Sequence, residues 1–223
     1  LREAERGAMM AEYRGKEGTL ISGIVQRREG PLVFIDLGKA SGLLPAAEQM
    51  PSDHYRIDQR LRFYIVKVED AVRGPVIVLS RSHPNLVREL FRMEVPEIDS
   101  GAVIVMGIAR EAGSRTKIAV ASNEEGVDPI GSLVGQRGVR VQTVINDLAG
   151  EKIDIIQYDT DASRYIVNAL SPAKILQVNL TDMEHKIALA EVANDQFSLA
   201  IGKGGQNVRL AAKLTGWKID VRS

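Results

Sequence analysis

The chain has 223 residues, 44% apolar and 26% charged, the make-up of a globular protein with room for more than one small domain. It has no cysteine and only three scattered histidines (His54, His83, His185), so a disulfide framework and the usual zinc-ligand spacings are excluded, and no metal or cofactor is expected. Basic and acidic side chains number 29 each, and no apolar run approaches the roughly 18–20 residues needed to span a bilayer.

In chain order, residues 1–14 open in charged, helix-like sequence with no initiator Met and no signal peptide. They read as the end of a helix leading in from an upstream domain, so a piece of a longer, cytoplasmic protein is expected. Residues 15–82 hold β-rich runs at Thr19–Arg27, Leu32–Leu37, Leu61–Val68 and Val76–Ser80. Turn signals at Glu29-Gly-Pro, Gly38-Lys-Ala-Ser-Gly and Arg73-Gly-Pro separate them, which predicts a small antiparallel β-barrel of the OB type.

The remainder is a duplication. Asp128–Gln142 lies over Asp195–Arg209 with Gly135 on Gly202 and Gly138 on Gly205, an offset of 67. Gly150-Glu-Lys-Ile-Asp-Ile also matches Gly216-Trp-Lys-Ile-Asp-Val, and Thr116-Lys-Ile-Ala-Val-Ala matches His185-Lys-Ile-Ala-Leu-Ala. Residues 83–158 and 159–223 are therefore two copies of one α+β domain. In the first copy a helix at Asn85–Met93 precedes a hairpin, Ala102–Arg110 and Lys117–Ser122, about Ala112-Gly-Ser. Asp128-Pro129 then supplies an N-cap and a first-turn proline for a short helix ending at Gly135. Val141, Val144, Ile145 and Leu148 follow the i, i+3, i+4, i+7 pattern of a second helix, stopped by Gly150 ahead of a strand at Glu151–Tyr158. The order is α-β-β-α-α-β. The second copy repeats it, with helices at Ala162–Leu170 and Gln206–Leu214.

Each copy brackets a helix–helix turn with Gly-x-x-Gly: Gly135-Gln136-Arg137-Gly138 and Gly202-Lys203-Gly204-Gly205. Without Cβ atoms, such a turn lets phosphates and riboses approach the backbone, and the next helix offers its positive end. The zero net charge hides two basic windows around these turns. Residues 197–219 carry Lys203, Arg209, Lys213 and Lys218 with no acid, and 134–144 carry Arg137 and Arg140 with none. The apolar residues ahead of each turn (Ile130, Leu133, Val134; Leu199, Ile201) would form a floor for unstacked bases, in a clamp suited to roughly four nucleotides of single-stranded RNA. One such turn is weak evidence, since glycine turns are common; two at equivalent points of a repeat, each in a cationic window, are specific. A nucleotide-binding P-loop is excluded because no Ser or Thr follows Lys203 and the glycine spacing differs.

Val-Gly-Gln-Arg-Gly-Val-Arg and Ile-Gly-Lys-Gly-Gly-Gln-Asn-Val-Arg-Leu-Ala resemble the two KH motifs of the NusA family of bacterial transcription elongation, termination and antitermination factors. Gly23-Ile-Val, Phe34-Ile-Asp-Leu-Gly, Gly42-Leu-Leu-Pro and Val78-Leu-Ser-Arg-Ser are similar to its S1 domain. The resemblance covers essentially the whole chain. It implies an S1 barrel at 15–82, then type II KH domains at 83–158 (KH1) and 159–223 (KH2), binding nascent RNA and regulating pausing, termination and antitermination. RNA polymerase, reached through an N-terminal domain, and other antitermination factors are the implied partners; no membrane is involved, and a monomer is expected.

The expected RNA contacts are Ile130, Gly131, Val134, Gly135, Gln136, Arg137, Gly138, Val139 and Arg140 in KH1. In KH2 they are Ile201, Gly202, Lys203, Gly204, Gly205, Gln206, Asn207 and Arg209. In S1, Pro31 and Pro45 stand where the family's aromatic and histidine platform has Phe and His. Phe34 remains, and Arg62, Tyr64 and Lys67 are candidates for minor contacts or simply an alternating strand face. Stacking contributes roughly 1–3 kcal/mol per base, so the KH pair should dominate. The join from Tyr158 to Ala162 is too short for a tether and predicts one continuous site with two clasps. Two other readings stand beside this one. Phosphorolytic ribonucleases carry KH and S1 modules, but in reversed order, and the acids Asp36, Glu69, Asp70, Asp159 and Asp161 sit where turns and caps account for them; a ribosome-associated binding module is the third. No catalytic residue is expected.

Overall fold

The computed structural model describes residues 2–223. Helix α1 (Glu3–Arg14) buries Met10 and Tyr13 against the barrel, and Arg6 donates to the Ala71 carbonyl at 2.9 Å. Leu1 lies outside the described residues. The barrel closes in the order β1 (Leu20–Glu29), β2 (Leu32–Asp36), β3 (Ser41–Leu44), β5 (Gly74–Ser80), β4 (Arg60–Ala71). Strand alternation puts Val25, Val33, Ile35, Phe63, Ile65 and Ile77 inside, so the small aromatic content costs the core nothing. Strand β3 starts inside the Gly38-Lys-Ala-Ser-Gly turn signal, taking in its Ser41 and Gly42, and was not among the expected runs, because four residues with a glycine carry little β signal.

KH1 contains α2 (Pro84–Glu94), α3 (Pro96–Asp99), β6 (Val103–Glu111), β7 (Arg115–Ser122), α4 (Pro129–Val134), α5 (Val139–Asp147) and β8 (Lys152–Gln157). Its sheet order is β6-β7-β8, with β6–β7 antiparallel and β7–β8 parallel. KH2 repeats it with α6 (Ala162–Ala169), β9 (Gln177–Asp182), β10 (Ile187–Glu191), α7 (Phe197–Ile201), α8 (Gln206–Thr215) and β11 (Lys218–Arg222). The short α3 was not expected: Pro96 ends α2 and at once serves as the first residue of a new turn. Asp128 does not cap α4 through its side chain. It is the His83 ring that caps α2, with Nδ1 accepting from the Asn85 amide at 3.0 Å.

The modules meet through buried polar groups. Between S1 and KH1, Arg81 is 1% exposed; it pairs with Asp53 at 2.8 Å and donates to the carbonyls of Arg62 and Asp147. Arg110 and Glu151 of KH1 form a wholly enclosed pair at 3.0 Å, and Arg110 also reaches Met50 Sδ of the barrel at 3.1 Å. KH2 covers the second face of the KH1 sheet. Ala119 and Ile156 of KH1 share a core with Ile166, Leu170, Ala211 and Trp217 of KH2. Residues 115–120 of β7 are therefore buried on both faces.

Candidate nucleic-acid interface

The two Gly-x-x-Gly turns have one backbone. Gly135 has φ 75°, ψ 175° and Gly202 has φ 80°, ψ 168°; Arg137 (55°, 23°) matches Gly204 (60°, 21°), and Gly138 (75°, 16°) matches Gly205 (77°, 12°). Three of the four residues thus have positive φ, where glycine is at ease and an L side chain is strained. Arg137 bears that strain in loop 1. The amides of Gly138 and Gly205 both donate back to the first glycine carbonyl at 3.1 Å. Helices α5 and α8 begin at the next residue, each with its positive end toward the turn.

The first glycine must be glycine because the residue five positions on packs over it. A Cβ on Gly135 would lie 2.7 Å from Cγ of Arg140, and one on Gly202 would lie 2.6 Å from the backbone N of Asn207. Arg140 and Asn207 are equivalent staples. Arg140 donates to Glu97 of α3 at 2.6 Å and to the Ser132 carbonyl at 2.9 Å. Asn207 is fully buried and donates to the carbonyls of Leu170 and Ala200 at 3.0 and 2.9 Å.

The predicted residues fall into distinct groups in this geometry. Gln136, Arg137 and Val139 on loop 1, with Lys203 and Gly204 on loop 2, are exposed at the turns. Gly131, Gly135, Gln136, Val139 and Arg140 line one groove of about 690 Å³ beside loop 1. Ile130, Val134 and Ile201 are half-buried floor residues ahead of the turns. Besides Arg140, three expected contacts are committed elsewhere. Asn207 faces the interior, and its amide is spent on two carbonyls, so its side chain does not reach a bound strand. Gln206 donates to Glu111 and to Ser114 Oγ of KH1, at 3.2 and 2.6 Å. Arg209 pairs with Glu111 through two bonds of 2.7 and 2.8 Å. That guanidinium, helped by the Gln206 amide, holds the Glu111 carboxyl below its usual range, while Glu111 raises Arg209. Glu111 had no signal in sequence, being one acid ahead of a hairpin turn.

The S1 candidates are also engaged within the molecule. Arg62 pairs with Asp147 of KH1 at 2.7 Å, and Tyr64 stacks on His83 with ring centroids 4.6 Å apart. Lys67 pairs with Glu69 on the surface at 2.8 Å. Phe34 lies under the Arg27 guanidinium, 4.0 Å from its ring centroid, a partner the sequence did not single out. Among the described residues no group of three His, Asp or Glu side chains is placed to hold a metal ion, and no helix is long and apolar enough to cross a membrane. Asp36 accepts from the Gly38 amide, and Asp161 caps α6 through the Ser163 amide.

Comparison with known proteins places names on these modules. Residues 15–80 match the S1 RNA binding domain, 81–158 the NusA-like first KH domain and 162–223 the NusA-like second KH domain. The transcription termination/antitermination protein NusA of Halalkalibacterium halodurans is 51% identical over 223 residues, covering 100% of this chain and 58% of that protein. Its namesake in Bacillus subtilis is 49% identical, covering 100% of this chain and 60% of that protein. The one in Mycobacterium tuberculosis is 49% identical over 229 residues, covering 99% and 66%. The chain thus spans about three fifths of the length of the curated relatives it matches. Three modules matched in one order, with identity near one half from end to end, lead to one conclusion: the chain belongs to the NusA family.

Proposed function

We propose that the chain binds single-stranded nascent RNA through the two Gly-x-x-Gly loops as one continuous site, with the S1 barrel in a minor role. The observation that carries this reading is the near-identity of two backbones rich in positive φ, each opening a helix and each flanked by exposed cations. Presented twice on domains that share a core, such a backbone suits the sugar-phosphate chain of a strand passing from one clasp to the other.

In the whole protein this binding serves transcription termination and antitermination, the role in the relatives' names, and we extend it to pausing with RNA polymerase. RNA polymerase and other antitermination factors are the partners of this reading. We assign no catalytic step; the protein acts as a monomer in the cytoplasm, where the transcript is made.

The test is fluorescence anisotropy on an unstructured RNA with two loop residues replaced by Asp, either Gln136 and Arg137 or Lys203 and Gly204. Either variant should lose most of the binding, because the second contact is nearly intramolecular and its effective concentration is in the millimolar range. Losses of only two- or three-fold in each would sink the continuous site. Co-purification of the full-length protein with RNA polymerase rather than ribosomal subunits tests the transcriptional role.

A further inference from the structure

Loop 2 is braced from outside its own domain. The Arg209 guanidinium, one turn into α8, donates through Nε and Nη2 to the Glu111 carboxylate of KH1 and through Nη1 to the Gly204 carbonyl at 2.9 Å. Gln206, the first residue of α8, donates to the same carboxylate and to Ser114 Oγ. Glu111 ends β6 and Ser114 lies in the β6–β7 turn. A Cβ on Gly113 in that turn would sit only 3.1 Å from Ser52 Oγ of the barrel, so the turn is itself held against S1. A chain of contacts therefore runs from S1 through one hairpin turn of KH1 to the backbone of the KH2 clasp.

Loop 1 has no equivalent. The position matching Arg209 is Gln142, whose amide bonds Asn146 on its own helix. Loop 1's outward tie, Arg140 to Glu97, stays inside KH1. The difference follows the sequence. Loop 2 contains three glycines where loop 1 contains two, and each glycine adds backbone freedom that must be lost when the loop is ordered.

We infer that Glu111 is a positioning residue for the KH2 clasp, acting through Arg209 to fix the Gly204 carbonyl and the first turn of α8, so that loop 2 is RNA-ready only with KH1 docked beside it. Arg209 is then a strut rather than a phosphate ligand. The inference rests on the RNA reading of the two loops and adds an interdomain device to it.

The experiment uses the whole chain and a labelled unstructured RNA long enough for both loops, in a salt series. Glu111→Ala and Arg209→Ala should each weaken binding about fivefold, as expected for loss of a half-exposed bidentate pair, and the double variant should be no weaker than either single one. Glu111→Gln, whose amide oxygen can still accept from Arg209, should lose less than Glu111→Ala. The slope of log affinity against log salt should be unchanged in all of them. Amide hydrogen exchange should quicken at Gly202–Gly205 in the single variants and stay unchanged at Gln136–Gly138.

A Glu111→Ala variant that binds as well as or better than the parent overturns the inference. So does an Arg209→Ala variant whose salt slope falls by about one, the mark of a lost phosphate contact. The loop Asp variants separate the two levels. If they bind like the parent, the RNA site itself is misplaced. If they abolish binding while Glu111→Ala is neutral, only the brace fails.

Discussion

In loop 1 the residue that packs over the first glycine is a long, partly exposed cation, Arg140, tied to an acid on the neighbouring helix. In loop 2 the same place is taken by Asn207, enclosed and bonded to two carbonyls, and a second strut arrives from the other domain. The backbones agree within about 10° in every angle compared, so the duplication kept the shape of the turn while changing its exposed side chains and what holds it from behind. One turn conformation can therefore be supported by quite different side chains. The supports decide how stiff it is and what else in the molecule it depends on.

The largest effect expected from this difference is at the first glycines. Alanine at Gly202 would place its Cβ 2.6 Å from the Asn207 amide nitrogen and 2.7 Å from its Cβ, atoms that cannot move without shifting α8. Alanine at Gly135 would meet the Arg140 Cγ and Cδ at 2.7 and 3.0 Å, which can turn aside, and its Cβ at 2.9 Å, which moves only with α5, but no backbone nitrogen. Both carry the positive-φ cost of roughly 1 kcal/mol, and overpacking against fixed backbone adds roughly 1–3 kcal/mol more. Urea unfolding should therefore find Gly202→Ala less stable than Gly135→Ala by about 1 kcal/mol. Equal losses would mean that the two staples yield equally.

A smaller effect of known sign belongs to the third loop position. Arg137 has φ 55° with a side chain, and Gly204 has φ 60° without one. Arg137→Gly should relieve about 1 kcal/mol of strain while giving back part of it as chain entropy, leaving the fold within a few tenths of a kcal/mol of the parent. Gly204→Ala, with nothing within 4 Å of the added Cβ, should cost about 1 kcal/mol. If Arg137→Gly weakens RNA binding more than its stability change accounts for, the guanidinium itself is a contact.

Much of this architecture was legible in the sequence because local and global signals agree there. Asp128-Pro129 and Gly150 mark helix ends, and Val144 and Leu148, at helical spacing, do reach the KH1 core. The repeat offset of 67 brought Gly135 onto Gly202, and those residues share φ and ψ. The supports were not legible. Glu111, Glu97 and Asp53 find their cations 98, 43 and 28 residues away, and one acid near a turn looks like any other until the domains dock. Arg62 and Tyr64 looked like an outward strand face, but the outward face of β4 is where KH1 sits. Lys117 in β7 was hidden for the same reason: a strand buried on both faces was read only as an apolar run.

Lys117 supplies the smallest effect, and it lies at the seam that sets one clasp relative to the other. Its ammonium is enclosed, 2.9 Å from Asp154 and 2.8 Å from the Ser171 carbonyl of KH2, with Arg115 on the same carboxylate and Lys152 nearby. Burial pushes its pKa down to about 8, an effect the Asp154 charge opposes without cancelling. In the unfolded chain a lysine titrates near 10.4, so between about pH 8 and pH 10 the unfolded chain binds the extra proton and the folded chain releases it. Stability must then rise with pH across that window. Tyr55 and Tyr165, both raised by burial and the latter to about 12, oppose the rise only above about pH 10, where unfolded tyrosines ionise. The rise should amount to about 2–4 °C in Tm between pH 8 and 9.5, the shift expected for about 1 kcal/mol in a chain of this size. Lys117→Met should flatten it, whereas parallel melting profiles for parent and variant would show that the Asp154 charge keeps the lysine protonated and that the seam holding the two loops is indifferent to pH.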